Sequence, residues 1–534
     1  MYKNWFGAAL VVVLSACGSS TLEALPAEAL KQEAGVSAAA LMTNVAWNER
    51  VELAVPSNFP VTVRYGTLTL PVVSRSNGKV VFDLPPAPPA PSLSAAASVD
   101  VNTYLTTPTS TELNAYANRG TVLVQVFRNS NNSLVASQDY QPLGSVEPGE
   151  LTVLGPPASN GQCLNLPAGF SNVEGPFKYT VGDQAVCLRT VRFTSAGTQQ
   201  ALGIYAAARP TQSVDRNTVS SLDPSGAGSF DPSCEQIEKW LNPLTSGNFF
   251  NLTAPNYQAA SNANNRGSLD GTNIRVHVMG SGLGVNDKIQ CAASVNFVDH
   301  DNHIESLIKL LAPAVSTFEK KVCDDNGNCP ASSVARGLLE IGQSASAAPN
   351  LRNDIVNLSL GAPLSSTAVY GALKAMENDV LVVASSGNHP FADNHFPAGY
   401  AQGLGNVSLP LANVVAVAGT GLDNASNTWR VAGYNTRQNA NLFAAGANLC
   451  PTTALGFRCI VGGNPLLYQD VGISGSSFAA PGVTGIAALY LQQSGRTLGP
   501  AALKTCLETK SNLNPVFNGG ASSNGMVWYD PAGC

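Results

Sequence analysis

The stretch Gly475-Ser476-Ser477-Phe478-Ala479-Ala480-Pro481, continued by Gly482-Val483-Thr484-Gly485-Ile486-Ala487-Ala488-Leu489-Tyr490, decides how this chain is to be read. A glycine turn delivers Ser477 to the first turn of a predicted helix, Phe478–Gln493. There its hydroxyl faces solvent and the helix dipole favours a developing anion. The small residues that follow let the helix lie close against a sheet. A plain capped core helix is the competing reading, but it would need no such run of particular residues. A serine placed in this way is a candidate nucleophile.

Working outward, residues after about 222 alternate short apolar strands with helical stretches. The strands are Ile274–Met279, Ile355–Leu360, Val380–Ser385 and Val414–Ala418, and the helices Glu305–Leu311, Ser332–Gly342, Thr367–Glu377 and Phe478–Gln493. Uninterrupted apolar strands separated by helices predict an α/β domain, a parallel sheet covered by helices on both faces.

The serine stretch resembles the nucleophile motif of the subtilisin-like serine peptidase family, Gly-Thr-Ser-Met-Ala-x-Pro, with Ser for Thr and Phe for Met. Val382-Val383-Ala384-Ser385-Ser386-Gly387-Asn388 resembles the same family's strand leading to Gly-Asn. The resemblance implies that the Asn388 amide and the Ser477 backbone N–H form an oxyanion hole. An amide suits that task because it donates a hydrogen bond without a proton to lose. An isolated Gly-Asn is ordinarily a turn. Here Phe396-Pro397-Ala398 and Asn413–Gly419 follow in the family's order. Between these matches, Asn357-Leu358-Ser359-Leu360-Gly361 is similar to the strand lining the family's substrate cleft. Ser359, Leu360 and Gly361 are therefore expected to bind a peptide by adding it as a further strand.

Asp299-His300-Asp301-Asn302-His303-Ile304-Glu305-Ser306 resembles the family's His-Gly-Thr-His-Val-Ala-Gly, with both histidines in register but the small residues replaced. By position His300 would be the general base and His303 a structural neighbour. Two surface histidines on a polar loop are the alternative. Ala312-Pro313 and Asp324-Asp325-Asn326-Gly327 keep the family's spacing downstream and support the register. The third catalytic member is missing. Ile274–Leu283 resembles the first core strand, which ordinarily ends in Asp-Thr-Gly, yet Gly280 stands where the aspartate should be. No Asp occurs between Asn273 and Val285.

In this mechanism the carboxylate fixes the imidazole tautomer and stabilises the imidazolium. Its removal from a member of the family costs about 3 × 10⁴ in kcat, roughly 6 kcal/mol. Three readings follow: a weak peptidase using Ser477 and His300; one that recruits Asp299 or Asp301; or a pseudoprotease that binds peptides without cutting them. Neighbours of a histidine tend to point away from it, so recruitment is the least favoured. On this reading Gly280→Asp is expected to raise turnover.

The rest of the chain sets the context. Of 534 residues only 12% are charged, while Gly (49) and Pro (34) are plentiful, which suits an exported, loop-rich protein. A net charge of −6 without a basic run argues against a nucleic-acid partner. Lys3 and the apolar stretch Trp5–Leu14 read as a cleavable signal, and Leu14-Ser15-Ala16-Cys17 resembles a bacterial lipobox. That resemblance implies lipidation at Cys17 and attachment to a membrane of the cell envelope. Ordinary cleavage near Ala16 is the alternative. Setting Cys17 aside leaves ten of the eleven cysteines. The local pairs Cys163–Cys187, Cys234–Cys291, Cys323–Cys329, Cys450–Cys459 and Cys506–Cys534 are expected in an oxidising compartment. No Cys-x-x-Cys occurs and no histidine lies near the cysteines, so no metal ligands and no cofactor are expected.

The domain plan is therefore a signal and lipobox at 1–17, a tether at 18–45, a β-rich accessory region of one or two small modules at 46–222, and a subtilisin-like domain at 223–534. The accessory region carries alternating runs such as Val61–Tyr65, Val80–Phe82, Thr121–Phe127 and Arg189–Phe193. The function expected is serine endopeptidase action on a protein or peptide substrate, impaired by Gly280. Non-cleaving peptide binding at the cell surface is the alternative.

Overall fold

The computed structural model describes residues 45–87, 122–222, 268–282, 297–347, 353–388, 394–446, 459–460, 468–469 and 475–534, apart from short stretches within them. Cys17 and nearly all of the tether lie outside the described residues. So do Cys234, Cys291 and Cys450. The pairs Cys163–Cys187, Cys323–Cys329 and Cys506–Cys534 are formed. Among the described residues no helix is long and apolar enough to cross a membrane.

The central sheet runs Ser316–Lys321, Arg275–Gly280, Asp354–Leu358, Leu381–Ser385, Val414–Asp423, Thr428–Val431, Pro515–Asn518 and Ala521–Gly525, with Leu442–Ala445 also paired to Val414–Asp423. The first five strands are parallel. Thr428–Val431 instead folds back antiparallel on Val414–Asp423, and the edge is a hairpin. The sheet is thus mixed where a parallel one was expected. A strand that returns through a short turn must pair antiparallel, whereas a parallel partner needs a long crossover.

Alternation along the central strands feeds two cores. Val276, Val278, Ile355, Leu381, Val383, Val415 and Val417 pack with helices Phe297–Leu311 and Ser476–Gln493. Met279, Val356, Leu358, Val382, Ala384, Val414 and Ala416 pack with helices Ala331–Ser346 and Thr367–Ala375 on the other face. These strands are buried on both faces, which is why they read as continuous apolar runs.

Ahead of this layer, a three-stranded and a four-stranded sheet enclose a core that includes Val51, Val63, Phe82, Val124 and Val126. Next comes an antiparallel sheet in the order Asn328–Pro330, Ser213–Ser221, Ser145–Gly155, Gln184–Phe193 and Phe170–Val181. One of its faces carries helix Thr198–Ala208 over Leu151, Val153, Val191 and Phe193. Its other face sends Leu154, Tyr179, Val181, Val186 and Leu188 into the core around helices Ala331–Ser346 and Thr367–Ala375. The strand pattern of this region gave no place to the helix. Its signal was present nonetheless in Ala201-Leu202 and Ala206-Ala207-Ala208, good helix formers that stop short of Pro210.

Candidate active site

The serine helix begins at Ser476, after Gly475 at φ 149°, a backbone region that glycine alone enters easily. No side chain caps this helix. Its first N–H groups lack intrahelical partners by geometry. That of Ser476 donates to Asn388 Oδ1 at 2.7 Å, and that of Phe478 to the Gly475 carbonyl at 3.0 Å. The Ser476 hydroxyl also donates to Asn388 Oδ1 (2.9 Å) and accepts from the Gly387 N–H (3.0 Å). Asn388 is thereby held by its oxygen. Ser476 does this fixing, a role that sequence reasoning did not assign to it.

The cleft strand is tied to the same helix. The Asn357 amide donates to Ser359 Oγ (2.8 Å), and Ser359 Oγ donates to the Ser477 carbonyl (2.7 Å). Thr484 Oγ1 donates to Asn357 Oδ1 (3.0 Å). Buried polar groups linked in this way hold strand and helix in one register. Asn357 and Thr484 were missed as site residues, although both lie inside the quoted motifs. The Ser477 hydroxyl donates to the Ser359 carbonyl at 3.2 Å, and is not hydrogen-bonded to His300. Leu360 is buried in the core beneath, so its side chain is not available at the surface of this strand.

Gly361 already has a partner. Its N–H and C=O exchange hydrogen bonds with Ser221 of the same chain at 3.2 and 2.9 Å, as an antiparallel bridge. Beside it, a Cβ placed on Gly361 would fall 2.0 Å from His395 Nε2, and one on Gly387 2.4 Å from His395 Cγ. The buried His395 ring therefore fills the space between the strand end at Gly361 and the Gly387 turn, a further contribution that sequence reasoning missed.

His300 and His303 are both buried, in the first turns of Phe297–Leu311 rather than on a polar loop. Their rings lie 5.4 and 6.1 Å from that of Phe478. The strand Arg275–Gly280 ends beside them, and the expected absence of a carboxylate at 280 does not leave a hole. A Cβ on Gly280 would meet both oxygens of Asp301 at 2.3 Å. Asp301 Oδ1 lies 3.1 Å from His300 Nδ1, and Oδ2 accepts the Gly282 N–H at 2.8 Å. The expectation that His300's neighbours point away is thus corrected for Asp301. Adjacent helical side chains do diverge by about 100° at 3.6 residues per turn. The space over Gly280 and the Gly282 N–H nevertheless draw this carboxylate back to the imidazole. The side chain of Asp299 lies outside the described residues.

Residues 258–527 match the subtilase family of peptidases, half of the chain. The chain belongs to that family. M-protease of Shouchella clausii (strain KSM-K16) is 27% identical to this subtilase over 285 residues, 49% of this chain and 65% of the relative. This subtilase thus spans slightly less than two thirds of that relative's length. Subtilisin Savinase of Lederbergia lenta is 28% identical over 253 residues, 43% of this chain and 80% of the relative. Among solved structures, fervidolysin from Fervidobacterium pennivorans aligns with a TM-score of 0.48 and 18% identity, over 72% of this chain and 60% of that one. Among the described residues of this subtilase, no three His, Cys, Asp or Glu side chains gather as a metal centre would require.

Proposed function

We propose that this subtilase is a serine endopeptidase with Ser477 as nucleophile, His300 as general base and Asn388 as oxyanion donor. The observation that carries this reading is the fixing of the Asn388 side-chain oxygen by Ser476, the residue before Ser477, at the start of the serine helix. The step requires the Ser477 hydroxyl to rotate away from the Ser359 carbonyl. Its oxygen then bonds to the substrate carbonyl carbon as its proton passes to His300 Nε2. The amide nitrogen leaves with that proton, and water repeats the sequence to free the acid. The Gly361 main chain is engaged by Ser221, so a peptide added along Ser359-Leu360-Gly361 would have to displace that bridge.

The resemblance of Leu14-Ser15-Ala16-Cys17 to a lipobox, after an apolar stretch that reads as an export signal, supports a place in the bacterial cell envelope, held to a membrane by a lipid. Non-cleaving peptide binding is the second reading, favoured by the Ser477 hydroxyl bonding to Ser359 instead of His300. A fluorophosphonate probe separates the two. Covalent labelling of the purified protein that vanishes in Ser477→Ala, with cleavage of a peptide pool that falls about 10²–10³-fold in Asn388→Ala, is the expected result. Equal labelling of wild type and Ser477→Ala would remove Ser477 from any mechanism.

A further inference from the structure

We infer that Asp301 is the positioning residue of this site, supplying from the histidine helix the carboxylate that the strand lacks at Gly280. The first observation is steric. Both Asp301 oxygens lie 2.3 Å from the place of a Cβ on residue 280. The Asp301 Cγ lies behind them at 2.6 Å, so the carboxylate of Asp301 faces the end of the strand oxygens first and fills the room that a side chain at 280 would need. Gly280 itself has no left-handed backbone angle that would demand glycine. What it provides is room.

The second observation is the hydrogen bonding. Asp301 is 1% exposed and His300 fully buried, so the charge must find donors inside the protein. It has the Gly282 N–H at 2.8 Å and the His300 Nδ1 at 3.1 Å. A carboxylate facing Nδ1 favours the tautomer that carries its proton there. Nε2, which has no hydrogen-bond partner among the described residues, is then the nitrogen able to take a proton. The substituted histidine motif and the missing strand aspartate become one change: the acid has moved from the strand to the residue after the base.

The kinetic consequence rests on the peptidase reading, whereas the tautomer does not, and the test uses both. Imidazole N–H signals of the full-length protein in the Ser477→Ala background would be recorded by NMR, with His300→Gln to assign them. A downfield Nδ1 proton of His300 is expected. It should be lost in Asp301→Asn, which keeps the size and the bond to Gly282, and restored in Gly280→Asp with Asp301→Ala. With Ser477 intact, Asp301→Asn should lower kcat/KM by about 10³–10⁴-fold, and the double variant should recover a large part of it. An unchanged Nδ1 signal in Asp301→Asn overturns the inference, as does unchanged kcat/KM. A wild type without turnover whose NMR signals follow the expected pattern would remove the peptidase reading and leave Asp301 in its assigned place.

Discussion

Gly280→Ala adds one methyl group, and the structure says what that methyl meets. Its position lies 2.3 Å from each Asp301 oxygen and 2.6 Å from Cγ, well inside any non-bonded contact. Two responses are open. If Asp301 swings away, the Gly282 N–H and His300 Nδ1 lose a charged acceptor, at about 1.5–3 kcal/mol for each such bond. If the carboxylate stays, strand and helix must part, and overpacking of this kind costs about 1–3 kcal/mol. The cheaper response sets the outcome, so a loss of about 1–3 kcal/mol is expected. Urea unfolding would show it as a lower midpoint at unchanged slope. Adding Asp301→Ala vacates the contested volume, so the double variant should be more stable than the sum of the two single ones. A Gly280→Ala protein with the wild-type midpoint would refute the claim that the two residues share one space. By the same collision, Gly280→Asp alone brings two buried carboxylates together, so the gain in turnover expected from the sequence is replaced by a loss.

Two further predictions concern other parts of the chain. Asp215 Oδ2 accepts the first N–H of helix Thr367–Ala375 at 3.3 Å, and burial raises its pKa above the usual 3.8 despite the neighbouring Arg216. A carboxyl whose pKa is raised by folding adds stability that is fully present below its unfolded pKa and is lost as pH rises through the folded one. Asp215→Asn stays neutral, so its unfolding midpoint should gain on that of wild type as pH rises above the usual carboxyl value; a constant or shrinking difference would sink the argument. Separately, Cys17→Ala should move the protein from the membrane fraction to the soluble one, because acyl chains supply the anchor. Retention in the membrane fraction would assign attachment to another segment.

The parts of this protein that were legible beforehand are those where a motif and its local structure coincide. Ser477, Asn388 and the cleft strand 359–361 each lie within a few residues of the glycine or strand that positions them. Continuous apolar runs such as Leu381–Ser385 marked buried parallel strands because burial on both faces removes alternation. Asp301 was harder to read. Its neighbour relation to His300 argued against contact, and the fact that decides it, the room above Gly280, is a relation between residues 21 positions apart that no local pattern encodes. His395 was hidden for the same reason, since what it fills is bounded by Gly361 and Gly387. The antiparallel pairing of Thr428–Val431 went unread because a short return strand of mixed composition carries no signal for the direction of its partner.

The antiparallel sheet of residues 145–221 takes Asn328–Pro330 as its outer strand and shares one core with helices Ala331–Ser346 and Thr367–Ala375. A change of sequence grammar near residue 222 therefore does not coincide with a seam in the folded molecule. Leu222 itself is buried in that common core, and its N–H donates to the carbonyl of Gly327. Expressing residues 223–534 alone would strip an apolar face from both helices and leave an unpaired strand edge at Asn328–Pro330. Self-association is the foreseeable fate of such a fragment. Melting followed separately by reporters in the two segments should accordingly give one coincident transition, the signature of a single cooperative unit.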